Sequence, residues 1–213
     1  PEIFAGTKGK GAQDATYDTA LIMEKCKLEG RHFTGASADI FKCFDQLVRP
    51  IIDYVLAQAG MPDCIRAPYM EYINSLQVVN TITGCIGQVY SKPTGIPQGD
   101  PFSMMVVALL LRPWVMEMRS MNVTPRILAD DLLILAEDSV SEKTRGMATC
   151  MRLSHSSLAE HAFDATHKHL QAMGARVSPK KCYVFTSDAG TRALLRQHVW
   201  RRLGKVVQVV NDT

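Results

Sequence analysis

The chain has 213 residues, of which 46% are hydrophobic and 21% charged, and its formal net charge is +3. This balance is typical of a globular protein with a buried core, and it excludes a disordered chain, a collagen-like repeat and a small disulfide scaffold. The longest apolar run, residues 104–111, is too short to cross a bilayer, because a membrane-spanning helix needs about 20 such residues. We therefore expect no membrane partner.

Patterns of apolar residues, bounded by Gly and Pro, predict alternating helices and strands. In chain order they are a helix over 14–28, a strand over 38–41, helices over 47–59 and 64–76, a hairpin over 77–90, a helix over 102–119, a hairpin over 126–136, a helical stretch over 139–173 and a strand over 182–186. The predicted fold class is α+β, with helices packed on one face of a small antiparallel sheet.

Charge and cysteine usage give a first indication of partners and location. Residues 165–213 carry 9 Lys and Arg against 2 Asp and Glu, which suits a polyanionic partner or a solvated basic tail. The cysteines form no C-x-x-C pair and no signal peptide is visible, so we expect reduced thiols in an intracellular protein. The chain begins at Pro1 and is interpreted as a piece of a longer protein.

Three aspartates are candidates for a metal site. Asp130 and Asp131 lie at the turn of the apolar 126–136 hairpin, and Asp39 ends a predicted strand. Crowded carboxylates repel one another, and a hard divalent cation relieves that repulsion. If the two strand ends are neighbours, Asp39 and Asp130 are placed to hold two ions about 3.5–4 Å apart, as polymerases do. A solvated turn is the alternative for the Asp130–Asp131 pair alone.

Four segments, taken in order, resemble one enzyme family. They are residues 39–45 (DIFKCFD), 95–103 (GIPQGDPFS), 128–131 (LADD) and 174–181 (GARVSPKK). The set is similar to motifs A to D of the reverse transcriptase palm. Residues 4–15 (FAGTKGKGAQDA) resemble the segment before motif A in retrotransposons without long terminal repeats and in group II introns.

The resemblance implies a polymerase palm that uses two Mg²⁺ ions, with Mn²⁺ as a possible substitute. Asp39 and Asp130 correspond to the metal-binding aspartates, and the backbone carbonyl of Ile40 completes a metal shell. Asp131 corresponds to the second acid of the turn, which supports the site electrostatically. These three aspartates are the expected catalytic residues.

The resemblance also implies the substrate contacts. Phe44 corresponds to the aromatic residue that excludes a ribose 2′-hydroxyl, while Gln98 and Gly99 line the incoming nucleotide and template. Lys181 corresponds to the motif D lysine, which protonates the leaving pyrophosphate or holds its charge. Leu128 departs from the family, which usually has an aromatic residue there, so altered packing against the primer strand is expected.

The implied function is RNA-directed DNA synthesis by a retroelement, from dNTPs, on an RNA template with a DNA primer. Residues 1–187 are assigned to the end of the fingers and the palm, and residues 188–213 to a basic segment leading to a thumb. The triphosphate-binding fingers hairpin and the thumb are expected elsewhere in the parent protein, so the fragment alone is expected to be inactive. A eukaryotic retrotransposon implies a nuclear location. Two alternatives stay open: a domesticated, inactive nucleic-acid-binding fragment, and an RNA-dependent RNA polymerase.

Overall fold

The computed structural model describes residues 2–4, 7–138 and 154–210. The helices within these residues are α1 (Ala12–Leu28), α2 (Cys43–Gln46), α3 (Arg49–Gln58), α4 (Asp63–Ser75), α5 (Ser103–Ser120), α6 (His155–Ala172) and α7 (Ala189–Leu195). The strands are β1 (Phe33–Asp39), β2 (Gln77–Val78), β3 (Thr81–Ile82), β4 (Cys85–Ile86), β5 (Tyr90–Ser91), β6 (Thr124–Leu128), β7 (Asp131–Glu137), β8 (Tyr183–Thr186), β9 (Val199–Trp200), β10 (Lys205–Val206) and β11 (Gln208–Val209).

The central feature is a five-stranded sheet with the order β11-β8-β1-β7-β6. Strand β1 lies in the middle, antiparallel to both β7 and β8, and β11 is parallel to β8 at one edge. The hairpin β6–β7 occupies the other edge. The middle of the sheet and the tip of that hairpin therefore meet at one end of the sheet.

Both faces of the sheet are covered along part of their length. One face packs against α5 and α6 through a core that includes Ala36, Ile134 and Val184. On the other face, Cys26 of α1 joins Phe33 in a smaller cluster. The α+β fold class is confirmed. The expectation of helices on one face describes α5 and α6, and α1 adds a partial cover on the opposite face.

Strand β1 is longer than the predicted strand over 38–41. All seven residues of its sequence, FTGASAD, are buried. A strand that is buried on both faces does not need the alternation of apolar and polar residues that marks a half-exposed strand, and β1 lacks it. Small side chains suit this position between two layers. At Gly35 a Cβ atom would lie 2.1 Å from the ring of Phe185, so the aromatic side chain occupies the space above the glycine.

The other predicted elements agree with the structure to within a few residues. Helices α1, α3, α4 and α5 and the hairpin β6–β7 are confirmed, and α5 continues through Pro113. The predicted hairpin over 77–90 consists of two short ladders, β2–β5 and β3–β4. Of the predicted helical stretch over 139–173, residues 155–172 form α6, and residues 139–153 lie outside the described residues.

The basic segment after residue 187 folds back onto the sheet. Trp200 and Val207 are buried in the main core, and β11 pairs with β8. Strands β9 and β10, which precede β11, form a short hairpin whose turn carries Arg201 and Arg202. The predicted boundary at residue 187 therefore falls between β8 and α7, and side chains on both of its sides share one core.

Candidate functional site

The three predicted acids meet where the hairpin tip approaches the end of β1. Asp39 is the last residue of β1 and lies directly opposite Asp131, the first residue of β7. Asp130 lies in the turn that joins β6 to β7, after Ala129, whose φ of 57° places it in the left-handed region. The sequence analysis predicted that Asp39 lies beside Asp130. In the structure, the register of β1 and β7 pairs Asp39 directly with Asp131, and Asp130 is the residue before Asp131.

The end of β1 is fixed by the segment that precedes β8. The amide of Ser178 donates to the carbonyl of Asp39 at 2.9 Å, and the amide of Phe41 donates to the carbonyl of Arg176 at 2.9 Å. Ile40 itself forms an antiparallel bridge with Val177. Because its neighbours make the hydrogen bonds on that side, the N–H and C=O of Ile40 point to the other side of the strand, where the Asp130 turn lies.

The acids influence one another and their neighbours. The pKa of Asp131 is raised, first by burial and then by the negative charges of Asp130 and Asp39. Burial, with the same two charges, raises the pKa of the Cys43 thiol to about 12. The carboxylates therefore repel one another in a partly buried space, and among the described residues Lys181 partly offsets this repulsion at Asp131.

Lys181 is the cation of this cluster. Its Nζ atom lies 3.2 Å from Oδ1 of Asp39, and the lysine side chain is largely exposed while that of Asp39 is only 10% exposed. The carboxylate is therefore buried, while the lysine side chain that pairs with it lies largely at the surface. The resemblance to motif D predicted a lysine at the active site, and the structure brings Lys181 to the acids.

The donor set suits a hard divalent cation. Carboxylate and carbonyl oxygens are the ligands that Mg²⁺ prefers, and it is commonly held by one or two carboxylates together with substrate phosphates. Among the described residues, no group of three or more His, Cys, Asp or Glu side chains is arranged so that it could hold a metal ion by itself. An ion at these acids would therefore need further ligands from a nucleotide and water.

A cavity of about 580 Å³ opens beside the acids, between α1 and the sheet. Asp39, Asp131 and Lys181 line its charged end, and Tyr183 and Phe185 of β8 contribute aromatic surface. The sequence analysis did not predict this aromatic surface of Tyr183 and Phe185. The predicted strand over 182–186 contains both aromatic residues, but the sequence does not show which face of that strand meets α1.

Phe44 lies in α2 and contacts the loop of residues 94–99, called here the Gly95 loop. The amide of Ile96 donates to the carbonyl of Phe44 at 2.9 Å, and the amide of Gly95 donates to the carbonyl of Leu47 at 2.8 Å. The hydroxyl of Thr94 donates to the carbonyl of Asp45 at 2.9 Å. The segments that resemble motifs A and B are therefore joined through the backbone.

The contact between the Gly95 loop and α2 requires a glycine at position 95. Its φ is 87°, and a Cβ atom there would lie 2.7 Å from the carbonyl oxygen of Phe44 and 2.8 Å from Cα of Asp45. A side chain would push the loop away from α2. This close packing explains the glycine at the start of the GIPQG segment without reference to any ligand.

Gln98 and Gly99 lie farther along the loop, before α5. Gln98 lines a second cavity of about 450 Å³ together with Asp45 and Lys92, whose side chains form an ion pair at 2.8 Å. The next residue after Gly99, Asp100, accepts a hydrogen bond from the amide of Phe102 at 2.7 Å and so begins α5. The structure thus places Gln98 in a different cavity from Asp39 and Asp131.

Comparison with known proteins places these motifs in a family. The family model described as "Reverse transcriptase (RNA-dependent DNA polymerase)" matches residues 3–206. The chain belongs to the reverse transcriptase family. The match continues beyond β8 to the β9–β10 hairpin, in agreement with the burial of Trp200 in the main core. Reverse transcriptases generally use divalent metals, which is consistent with the oxygen-rich donor set.

Solved telomerase structures share this fold. A Candida tropicalis telomerase in complex with a fragment of telomeric RNA has a TM-score of 0.59 and 11% identity, covering 89% of this chain and 31% of its own. The apo Candida tropicalis enzyme, truncated from its C-terminal domain, has a TM-score of 0.60 and 14% identity, covering 89% and 37%. A Candida albicans telomerase has a TM-score of 0.51 and 16% identity, covering 82% and 30%.

This chain therefore spans about a third of the telomerase chains that it matches. At these identities the likeness concerns the fold. No curated protein matches the sequence. Within the described residues, no helix has the length and apolar character needed to span a membrane.

Proposed function

We propose that the parent protein is an RNA-directed DNA polymerase that extends a DNA primer on an RNA template by two-metal nucleotidyl transfer. The observation that carries the proposal is the meeting of Asp39, Asp130, Asp131 and Lys181 at one end of the sheet, in a chain of the reverse transcriptase family. Three acids and one exposed lysine are the groups that the resemblance to the polymerase palm implies for this chemistry.

In this proposal Asp39, Asp130 and the carbonyl of Ile40 hold two Mg²⁺ ions, or Mn²⁺ in their place. When bound, such ions activate the primer 3′-hydroxyl and neutralise charge on the triphosphate. Asp131 keeps the local potential negative. Lys181, which is exposed and within reach of Asp39, is placed to donate a proton to the leaving pyrophosphate or to hold its charge.

Phe44 and the Gly95 loop provide the proposed nucleotide selectivity. The backbone of Phe44 is held by the loop, and its partly buried side chain packs against the main core. In this proposal its ring also excludes a ribose 2′-hydroxyl. Gln98 and Gly99 contact the nucleotide and template from the same loop. Arg201, Arg202 and Lys205 of the β9–β10 hairpin offer phosphate contacts that position a duplex without reading its sequence.

An RNA-dependent RNA polymerase is less well supported. In that reading Asp45 would recognise the ribose 2′-hydroxyl, but its carboxylate is paired with Lys92 and lines the second cavity rather than the one beside the acids. An inactive nucleic-acid-binding fragment is disfavoured by the intact acid cluster. Buried like charges cost stability, and loss of activity would remove the reason to keep them.

The origin in a retroelement is also proposed. It rests on the resemblance of residues 4–15 to the segment before motif A in elements without long terminal repeats and in group II introns. For the whole protein we propose fingers and thumb segments elsewhere in the parent chain, and a nuclear location in a eukaryotic host.

The test is primer extension by the full-length parent protein with Mg²⁺. The reactions contain an RNA template with a DNA primer, and either the four dNTPs or the four rNTPs. We expect DNA products from dNTPs and at least a hundredfold lower rate with rNTPs. Preferential RNA synthesis would support the polymerase alternative, and template binding without any product would support the inactive fragment.

A further inference from the structure

Arg49 is a buried cation that none of the recognised motifs contains. It is the first residue of α3 and only 6% of its surface is exposed. Burial lowers the pKa of its guanidinium group, and no ion pair with a described carboxylate offsets this effect. Burying a charge without a counter-ion is costly, so the hydrogen bonds that it makes require an explanation.

The partner of Arg49 is the Gly95 loop. Its Nε atom donates to the carbonyl oxygen of Gly95 at 3.1 Å, and both groups are buried. Hydrogen bonds from charged donors are about twice as strong as neutral ones, and they hold a fixed direction when water is excluded.

This bond completes a closed set of contacts. The Gly95 loop donates three hydrogen bonds to the segment that carries Phe44, through Thr94, Gly95 and Ile96. Arg49, two residues after the last acceptor, Leu47, donates one bond back to the loop. Four hydrogen bonds therefore join the Gly95 loop to residues 44–49, and a shift of the loop relative to this segment would break them.

We propose that Arg49 is a positioning residue that holds the Gly95 loop against the Phe44 segment and thereby sets the discrimination between deoxyribonucleoside and ribonucleoside triphosphates. The inference rests on the proposed polymerase function. Discrimination against one hydroxyl group depends on close contact, and a displacement of about 1 Å near a reacting substrate costs as much as a hundredfold in rate. Arg49 lines the second cavity together with Gln98, and in this inference it acts through the position of Phe44 rather than by contact with the substrate.

The experiment uses the full-length parent and three variants. Arg49→Met removes the donor with little change in volume, and Arg49→Lys keeps a donor with a different reach. Arg66→Met is the matched control, because Arg66 of α4 is paired with Asp53 and Asp63 and does not contact the loop. For each protein, kcat/KM is measured with a dNTP and with the corresponding rNTP on the same primed RNA.

We expect Arg49→Met to lower the dNTP/rNTP ratio of kcat/KM at least tenfold, Arg49→Lys to lower it at least threefold, and Arg66→Met to leave it within twofold of the parent. Amide hydrogen exchange at residues 95 and 96 should accelerate at least tenfold in Arg49→Met and stay unchanged in Arg66→Met. If Arg49→Met does not fold, Arg49→Lys decides the question.

An unchanged ratio in a folded, active Arg49 variant overturns the inference, and so does unchanged exchange in the loop. Failure of the proposed function has a different signature, because the parent itself then makes no DNA. In that case the exchange data still report whether Arg49 holds the loop, and the role in sugar selection is withdrawn with the polymerase activity.

Discussion

Replacing Gly95 by alanine tests the contact between the two motif segments. The backbone φ of 87° is unfavourable for any L side chain, which costs about 1–2 kcal/mol. The new Cβ would also lie 2.7 Å from the Phe44 carbonyl oxygen, and such overpacking typically costs about 1–3 kcal/mol more. We therefore expect Gly95→Ala to lower the free energy of unfolding by about 2–5 kcal/mol.

Gly84→Ala is the matched control for this prediction. Gly84 has a similar φ of 82°, but a Cβ atom there meets nothing within 4 Å. It should show only the conformational cost of about 1–2 kcal/mol. Urea unfolding of both variants and the parent, analysed by linear extrapolation, gives the comparison. A loss in Gly95→Ala no larger than that in Gly84→Ala would refute the steric argument and the tight contact that it describes.

Three further changes have expected outcomes. Phe44→Ala should raise rNTP incorporation relative to dNTP incorporation, measured as the ratio of kcat/KM. Phe41→Ala, at a half-exposed side chain, is the control and should leave this ratio unchanged. An unchanged ratio in Phe44→Ala would leave Phe44 as a packing residue. Trp200→Ala should lower the free energy of unfolding in urea by about 3–5 kcal/mol, because the side chain is buried against Phe163. Val199→Ala, at an exposed residue, should lower it by less than about 0.5 kcal/mol. Equal effects would mean that the segment after β8 is not part of the core. Burial lowers the pKa of His167, and likewise those of His155 and His169, so stability should fall as pH drops below about 6.5. Each group contributes up to about 1.4 kcal/mol per pH unit, since the unfolded chain then binds a proton that the folded chain excludes. His167→Gln should reduce this slope and His161→Gln, at an exposed position, should not; identical slopes in thermal melts between pH 7.5 and 5.5 would contradict the assignment.

Much of the architecture could be predicted because local patterns and tertiary structure agree. The apolar runs around Asp130 and Asp131 gave the β6–β7 hairpin and its acidic turn, and helical periodicity gave α3 and α5. Strand β1 was predicted too short, since a strand buried on both faces loses the alternation that identifies strands.

The tertiary details of the candidate site could not be predicted in the same way. Nothing in the sequence pairs Arg49 with Gly95, because the contact joins residues that are far apart in the chain and the arginine lies in an ordinary helical pattern. Likewise, the aromatic surface of Tyr183 and Phe185 depends on where α1 packs. The sheet register, which places Asp39 opposite Asp131, requires the three-dimensional structure.

The central claim is that Asp39 and Asp130 hold the metal ions of a DNA polymerase. Its most direct test measures primer extension and template affinity together for the full-length parent, Asp39→Asn and Asp130→Asn. Loss of a metal ligand removes several kcal/mol of transition-state stabilisation, while template binding rests on distributed phosphate contacts. We expect extension to fall by at least a thousandfold in each variant, with template affinity within about threefold of the parent. Extension within tenfold of the parent in either variant would contradict the assignment.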